Sequence, residues 1–404
     1  MTVYFDSHTY TIEGFYMQDF ILNHTTCGKI IGEKMYFSDG GFNGLFCMDL
    51  QSEQCGFIDF FKGEEIDEYH LHKNCVLYRE WLFFLPQRSR FIHAYNIKTG
   101  EQNNIFMDRQ EDRKQRFLYE TMQCGCYLYH VPIDTDTPLL RLNMDRQILE
   151  EDHRFSDWCR KHMPDIDRKL GARWAFKGED IYAVVFDSDL VIRWNITLGE
   201  GQIYHTAEHL FGISNAADGF WLLTMTSGSI FFWAPDQGIK AYAGTQEAFE
   251  IKPYNHIIDT GRITVAVPTK GDDLQIRTKD GLFKSYHLRQ YLSFGFQEEM
   301  GFYGFDSDDR RICLFLSSGQ GAVVLDIENQ KISWISMRLE DPEQVGRIET
   351  ERIKKRVRNG EIIGECKWWS LENLIADVKE YEPDHMETNM EFGKTIYKEL
   401  CKRT

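Results

Sequence analysis

Apolar and polar positions alternate over short runs in this chain, and the clearest run is Leu190–Glu200, LVIRWNITLGE. Strand side chains point alternately to opposite faces, so Leu190, Ile192 and Trp194 share one face and Val191 and Arg193 the other. Gly199 provides the turn that ends the run. The same strand-then-turn pattern returns at Leu45 (LFCMDLQSEQ), Phe91 (FIHAYNIKTGE), Leu139 (LLRLNMDRQ), Ile230 (IFFWAPDQG) and Ala322 (AVVLDIENQ). A unit repeated at near-constant period predicts a repeat architecture, in which each unit buries its apolar faces against its neighbours.

Each unit parses into four short strands. The fourth reads Arg173–Phe176, Ile181–Phe186, Leu190–Ile196 and Gln202–His205, and the fifth begins at Leu210–Ser214. In the third, Phe117–Thr121, Cys126–His130 and Leu139–Met144 precede a weak fourth strand. Positions on the third strands (Asp49, Asn96, Asn143, Asn195, Ala234, Thr278 and Asp326) recur every ~40–50 residues, the period of four-stranded propeller blades. In strand number, period and turn chemistry the chain resembles β-propeller repeat proteins over residues 26–338. The resemblance implies an all-β, seven-bladed β-propeller. Six or eight blades are the alternatives, because the first and third units are faint. A four-stranded sheet with two apolar faces needs a neighbour on each side, and radial stacking supplies both while leaving only short edges.

The flanks read differently. Residues 1–25 contain two short strands, Val3–Phe5 and Tyr10–Ile12, and a link. Between the third and fourth units, Ile148–Gly171 is an insertion, with Ser156 expected to cap a short helix through Trp158–His162 and Pro164 to end it. Residues 339–404 form a helical extension. Asp341–Gly360 has Pro342 in the first turn, Ser370–Tyr381 has an apolar face of Leu371, Leu374, Ile375 and Val378, and Met390–Lys402 is the last helix.

Length and charge narrow the function classes. The 404 residues exceed what a single core supports, which repetition explains. A formal net charge of −17 opposes binding to nucleic acid or to an anionic membrane surface. No secretory leader and no apolar run of membrane-spanning length is visible, so a cytoplasmic location is expected and the ten cysteines read as reduced core residues.

The candidate chemistry is sparse. His70 and His72, two residues apart on an extended chain, would share one side, but no further ligand accompanies them and no metal site or cofactor is expected. Cys124-Gly125-Cys126 lacks the two-residue spacing of a redox pair. FDSD occurs at Phe186–Asp189 and Phe305–Asp308; its Asp and Ser residues suit hairpin turns better than calcium or acid–base chemistry. The basic island Lys354, Lys355 and Arg356 alternates with glutamates as a salt-bridged helix does, and with Trp368 and Trp369 it is a candidate surface for a partner protein. No Gly-rich phosphate loop or nucleophile elbow is present.

The expected function is therefore a non-catalytic propeller serving as a scaffold or recognition subunit for a protein or a saccharide. A carbohydrate-active hydrolase or lyase with its site at the channel mouth is the alternative. For that reading, His70, His72, Asp259, Arg262, Asp306 and Arg311 are the side chains whose convergence would matter.

Overall fold

The computed structural model describes residues 20–22, 25–107, 121–130, 132–164, 169–225, 227–242, 253–277, 281, 283–291, 301–316 and 321–359. Two compact units divide the chain at Leu339/Glu340.

The first unit is all-β. Its strands are β1 (Phe20–Ile21), β2 (Thr25–Ile31), β3 (Lys34–Asp39), β4 (Leu45–Asp49), β5 (Cys55–Asp59), β6 (His72–Tyr78), β7 (Trp81–Pro86), β8 (Phe91–Asn96), β9 (Gln102–Phe106), β10 (Thr121–Cys124), β11 (Tyr127–His130), β12 (Leu139–Asn143) and β13 (Ile148–Asp152). After helix α1 (Arg154–His162) come β14 (Ala175–Lys177), β15 (Asp180–Val184), β16 (Ser188–Asn195), β17 (Glu200–Asn215), β18 (Phe220–Thr224), β19 (Phe231–Ala234) and β20 (Gly238–Ala241). The unit ends with β21 (Tyr254–Asp259), β22 (Thr264–Pro268), β23 (Asp273–Arg277), β24 (Phe283–His287), β25 (Phe302–Ser307), β26 (Arg311–Leu316), β27 (Gly321–Asp326), β28 (Lys331–Ser336) and β29 (Arg338–Leu339).

These strands make six sheets, in which strands consecutive in sequence pair antiparallel. The second, third, fifth and sixth sheets (β6–β9, β10–β13, β21–β24 and β25–β28) have four strands each. The fourth has seven, because β17 pairs with β16 through one half and with β18 through the other. The first sheet is β2–β5, widened at its outer edge by β29 and β1, so the strand that follows the last sheet hydrogen-bonds into the first.

Apolar alternation turns directly into packing. Phe83, Ile92 and Ala94 of the second sheet meet Leu128, Leu140 and Leu142 of the third. Val265, Leu274 and Ile276 of the fifth meet Ile312, Leu314 and Val323 of the sixth. Fully burying one such side chain contributes ~1.5–3 kcal/mol. These clusters are what no single sheet could form.

Several sequence-based boundaries are corrected. The first strand of the third sheet runs on past the expected end at Thr121 to Cys124; residues 117–120, where it was expected to begin, lie outside the described ones. Its faint fourth strand is Ile148–Asp152, which reads in sequence as part of the insertion; it pairs along β12 with Asn143 opposite Ile148. The helix starts at Arg154, so Ser156 is not its cap. Ser156 is buried in the first turn, where its hydroxyl donates to the His153 carbonyl at 3.0 Å. Phe155, Cys159 and Met163 carry the helix into the core shared by the third and fourth sheets, beside Trp174 and Trp194. The expected strands near the N-terminus lie outside the described residues.

In the second unit, α2 (Pro342–Arg358) begins where Pro342 predicted it. The Asp341 carboxylate caps it by accepting from the Glu343 N–H at 2.9 Å. The two further predicted helices lie outside the described residues. No described helix is long and apolar enough to cross a membrane.

Candidate functional site

Strand direction divides the ends of each sheet into two rims. At one rim every connection that lies wholly among the described residues is a short turn, from two residues (32–33) to five (50–54). At the other lie the strand ends between which the chain passes from one sheet to the next, with residues 60–71, 107–120, 153–174, 242–253 and 288–301 intervening; of these, 108–120, 165–168, 243–252 and 292–300 lie outside the described residues. Crossing a four-stranded sheet takes about 14 Å, or roughly four to five residues. These connections are two to several times longer than the crossing requires.

The carboxylates and arginines singled out from sequence lie toward the short-turn rim, and Asp259, Asp306 and Arg311 act between sheets. Asp259 ends β21; its Oδ2 accepts from the Trp221 indole N–H at 2.7 Å and its Oδ1 from the Gly261 N–H at 2.8 Å. Arg262 is exposed in the following turn. Asp306 accepts from Lys29 Nζ and from the Ile30 N–H, both at 2.7 Å, which joins the sixth sheet to the first. Burial pushes the Asp306 carboxyl up even though Lys29 and the backbone N–H pull it down. Arg311 reinforces the junction, donating to Glu33 at 2.9 Å and to the Gly32 carbonyl at 3.1 Å. Asp306→Ala strands a half-buried ammonium and a backbone donor. It should lower stability by about 2 kcal/mol, read as an earlier denaturation midpoint at unchanged slope; an unmoved midpoint would contradict this role.

His70 and His72 do not share a side. His70 takes a left-handed turn conformation (φ 51°) just before β6, whereas His72 is fully buried within the strand. His72 Nε2 lies 2.9 Å from His93 Nδ1, His72 Nδ1 lies 2.9 Å from Ser38 Oγ, and His93 Nε2 lies 3.1 Å from the Lys62 carbonyl. A carbonyl only accepts, so His93 donates from Nε2 and accepts at Nδ1. His72 then donates from Nε2 and accepts from the Ser38 hydroxyl. The whole relay is consistent with two neutral rings, and burial lowers both pKa values, His93 to about 4. No group of three or more ligand-type side chains suited to a metal ion occurs among the described residues.

The FDSD segments behave differently from each other. Asp308 Oδ1 accepts the N–H groups of Arg310 and Arg311, which is turn chemistry. In the other copy Asp187 adopts φ 54° in a turn at the long-connection rim and pairs with His209 at 3.1 Å, while Asp189 pairs with His205 at 2.9 Å. On α2, Lys354 pairs with Glu351 and Arg352 with Glu349, and Lys355 is half-buried, as a salt-bridged helix face requires. Arg356 belongs to the same helix, and Trp368 and Trp369 lie outside the described residues.

The features that sequence reasoning missed cluster at the long-connection rim. Four first strands carry a register shift near their starts, between Thr25/Cys27, His72/Asn74, Tyr254/His256 and Phe302/Gly304, and β17 carries one at Leu210/Gly212, where its pairing with β18 begins. A bulge inserts one residue and re-aims its neighbours, and nothing in apolar alternation marks it. Four of the five exposed aromatics among the described residues also stand here, Phe305 within β25 being the fifth. Tyr69 (48% exposed) lies under the Arg88 guanidinium at 3.8 Å, and Phe106 (57%), Phe186 and Tyr291 stand at ends of strands or in connections of this rim. The exposed aliphatics Ile148, Leu198 and Ile239 lie at the other. By contrast Trp174 and Trp233 are buried.

Successive four-stranded antiparallel sheets sharing cores face to face define a propeller-type fold, and similar solved structures agree. The chain is similar to virginiamycin B lyase from Staphylococcus aureus (TM-score 0.53, 10% identity, 75% of this chain and 96% of that one). It is also similar to the extracellular domain of a one-component system, BT4673, from B. thetaiotaomicron (0.53, 14%, 79% and 39%) and to the surface component PorZ of the Porphyromonas gingivalis type-IX secretion system (0.55, 10%, 80% and 39%). The chain thus spans well under half of the latter two. No family model and no curated protein matches the sequence.

Proposed function

We propose that the sheets are the blades of a closed, seven-bladed propeller, with the seven-stranded sheet counting as two blades, and that the protein is a non-catalytic recognition module. Its ligand, a protein or a saccharide, would be taken on the rim of long connections. The observation that carries this reading is the distribution of exposed aromatics: among the described residues four of the five, Tyr69, Phe106, Phe186 and Tyr291, stand at that rim and Phe305 lies within β25, while the opposite rim exposes the aliphatics. Aromatic rings give large contact area at small entropic cost and stack on sugar rings. Asp259 and Asp306 favour recognition over hydrolysis, because both are engaged in bonds that tie one sheet to another. The Lys29–Asp306 and Arg311–Glu33 pairs and the β29–β5 pairing support a closed ring.

The test compares the rims. Immobilised protein is presented to a glycan array and to extract, alongside Tyr69→Ala/Tyr291→Ala and Leu198→Ser. The aromatic pair should lose what the unaltered protein retains, and Leu198→Ser should keep it. Equal retention by all three would overturn the reading.

A further inference from the structure

We propose that Arg88 and Arg90, with Tyr69 and Phe106 beside them, dock an acidic, carboxylate-bearing segment of a partner protein. The proposal rests on the long-connection rim being the recognition face and names the partner chemistry that the second sheet takes there. Both arginines stand in the connection between β7 and β8, and both are exposed. Backbone bonds fix that connection. The Leu71 carbonyl accepts from the N–H groups of Gln87 at 2.7 Å and of Arg88 and Ser89 at 3.2 Å. Ser89 is buried; its hydroxyl donates to Glu64 Oε1 at 2.6 Å, and the same oxygen accepts from the Arg90 N–H at 2.9 Å. A loop held in this way has little left to order when a partner arrives.

The charge is presented rather than spent. The Arg88 guanidinium lies 3.8 Å from the centre of the Tyr69 ring, and the His70 ring meets the same ring edge-on at 5.4 Å. Contact with a ring uses the π face of a guanidinium and leaves its N–H donors for the two-bonded fork that a carboxylate accepts. Among the described residues neither Arg88 nor Arg90 has a carboxylate within ion-pair reach of its guanidinium. Glu64 attracts Arg90, yet its Oε1 is taken up by the loop itself. Two unmatched cations side by side, in a chain of formal net charge −17, favour an acidic partner and reject a basic one.

The aromatics beside them favour a protein over a saccharide. Phe91 follows Arg90 and pairs across the sheet with the exposed Phe106, their ring centres 5.7 Å apart. The two rings are inclined by 57°, so they offer no single flat surface for a sugar ring, and Arg88 occupies the ring of Tyr69. Arginine, tyrosine and phenylalanine side by side are the residues that anchor protein interfaces.

Fluorescence anisotropy with labelled peptides tests this. A peptide of alternating Glu and Phe should bind, its Lys–Phe counterpart should not, and binding should weaken as salt rises. Arg88→Gln and Arg90→Gln should each weaken it about tenfold. Arg88→Lys keeps the charge but loses the fork, and should weaken it nearly as much. Phe106→Ser should weaken it too, and Arg262→Ala, at the opposite rim, should change nothing. All of these side chains are exposed, so the variants should fold. Equal binding of the Lys–Phe peptide, binding indifferent to both arginines, or an acidic oligosaccharide such as hyaluronan held by them in the peptide's place would overturn the proposal. Absence of Glu–Phe binding, while Tyr69→Ala/Tyr291→Ala still abolishes capture, would overturn it too and leave the recognition reading standing.

Discussion

Lowering the pH from 7 to 4 should cost this protein several kcal/mol of stability, most of it before ordinary carboxylates titrate. Three fully or almost fully buried histidines set the effect. Burial lowers His93 to about 4 and His130 to about 3, and lowers His72 well below the ordinary imidazole value. Both ring nitrogens of His130 are buried without a hydrogen-bond partner among the described residues. In the relay of His72 and His93, an added proton would set a donor against a donor. The unfolded chain takes up protons near pH ~6.5 while the folded one does not, so stability is complete above that value and declines as pH falls toward the folded values. Each group contributes a slope of ~1.4 kcal/mol per pH unit, so His93 and His130 each remove about 3 kcal/mol by pH 4. A whole domain has only ~5–15 kcal/mol. Urea midpoints at pH 7, 6, 5 and 4 would measure the decline. His130→Leu should make it shallower; a midpoint constant from pH 7 to 5 would refute the account.

Trp221→Ala should be among the most damaging single substitutions, costing ~3–5 kcal/mol. Trp221 is fully buried in β18, where its ring meets Phe232, Tyr242 and Phe283 at 5.4–6.0 Å between centroids, and Arg277 lies 5.6 Å from it. Its core spans the fourth and fifth sheets, and its indole N–H reaches Asp259 across that junction. Truncation therefore opens a cavity and unpairs an acceptor at once. Asp259→Ala removes only the acceptor and should cost about 1–3 kcal/mol, the penalty of a buried donor left unmade. If the two variants melted alike, the lost hydrogen bond rather than the cavity would account for the damage.

The architecture was largely legible because it rests on alternation. Leu190, Ile192 and Trp194 share a face in the sequence and share a core in the structure. Boundaries failed where alternation is interrupted. Ile148–Asp152, with three acidic residues, did not read as a strand, although β12 pairs along it. The contact of Arg173 Nη2 with His256 Nε2 was not legible for a related reason: the two are 83 positions apart, and a Cβ at Gly212, one glycine among 31, would stand 2.5 Å from Cβ of Arg173. Asp259, Asp306 and Arg311 stood out as charged residues near strand ends, and their charge holds sheets together.

The unbroken course of β17 sets the junction within the seven-stranded sheet apart. Other neighbouring sheets do not share a strand. Here Glu200–Asn215 is fixed to β16 on one side and β18 on the other, and only the corner at Ala207 (φ 64°) turns the chain. The two halves therefore share one strand, and Arg173, bridged to Gly212, adds a further link to it.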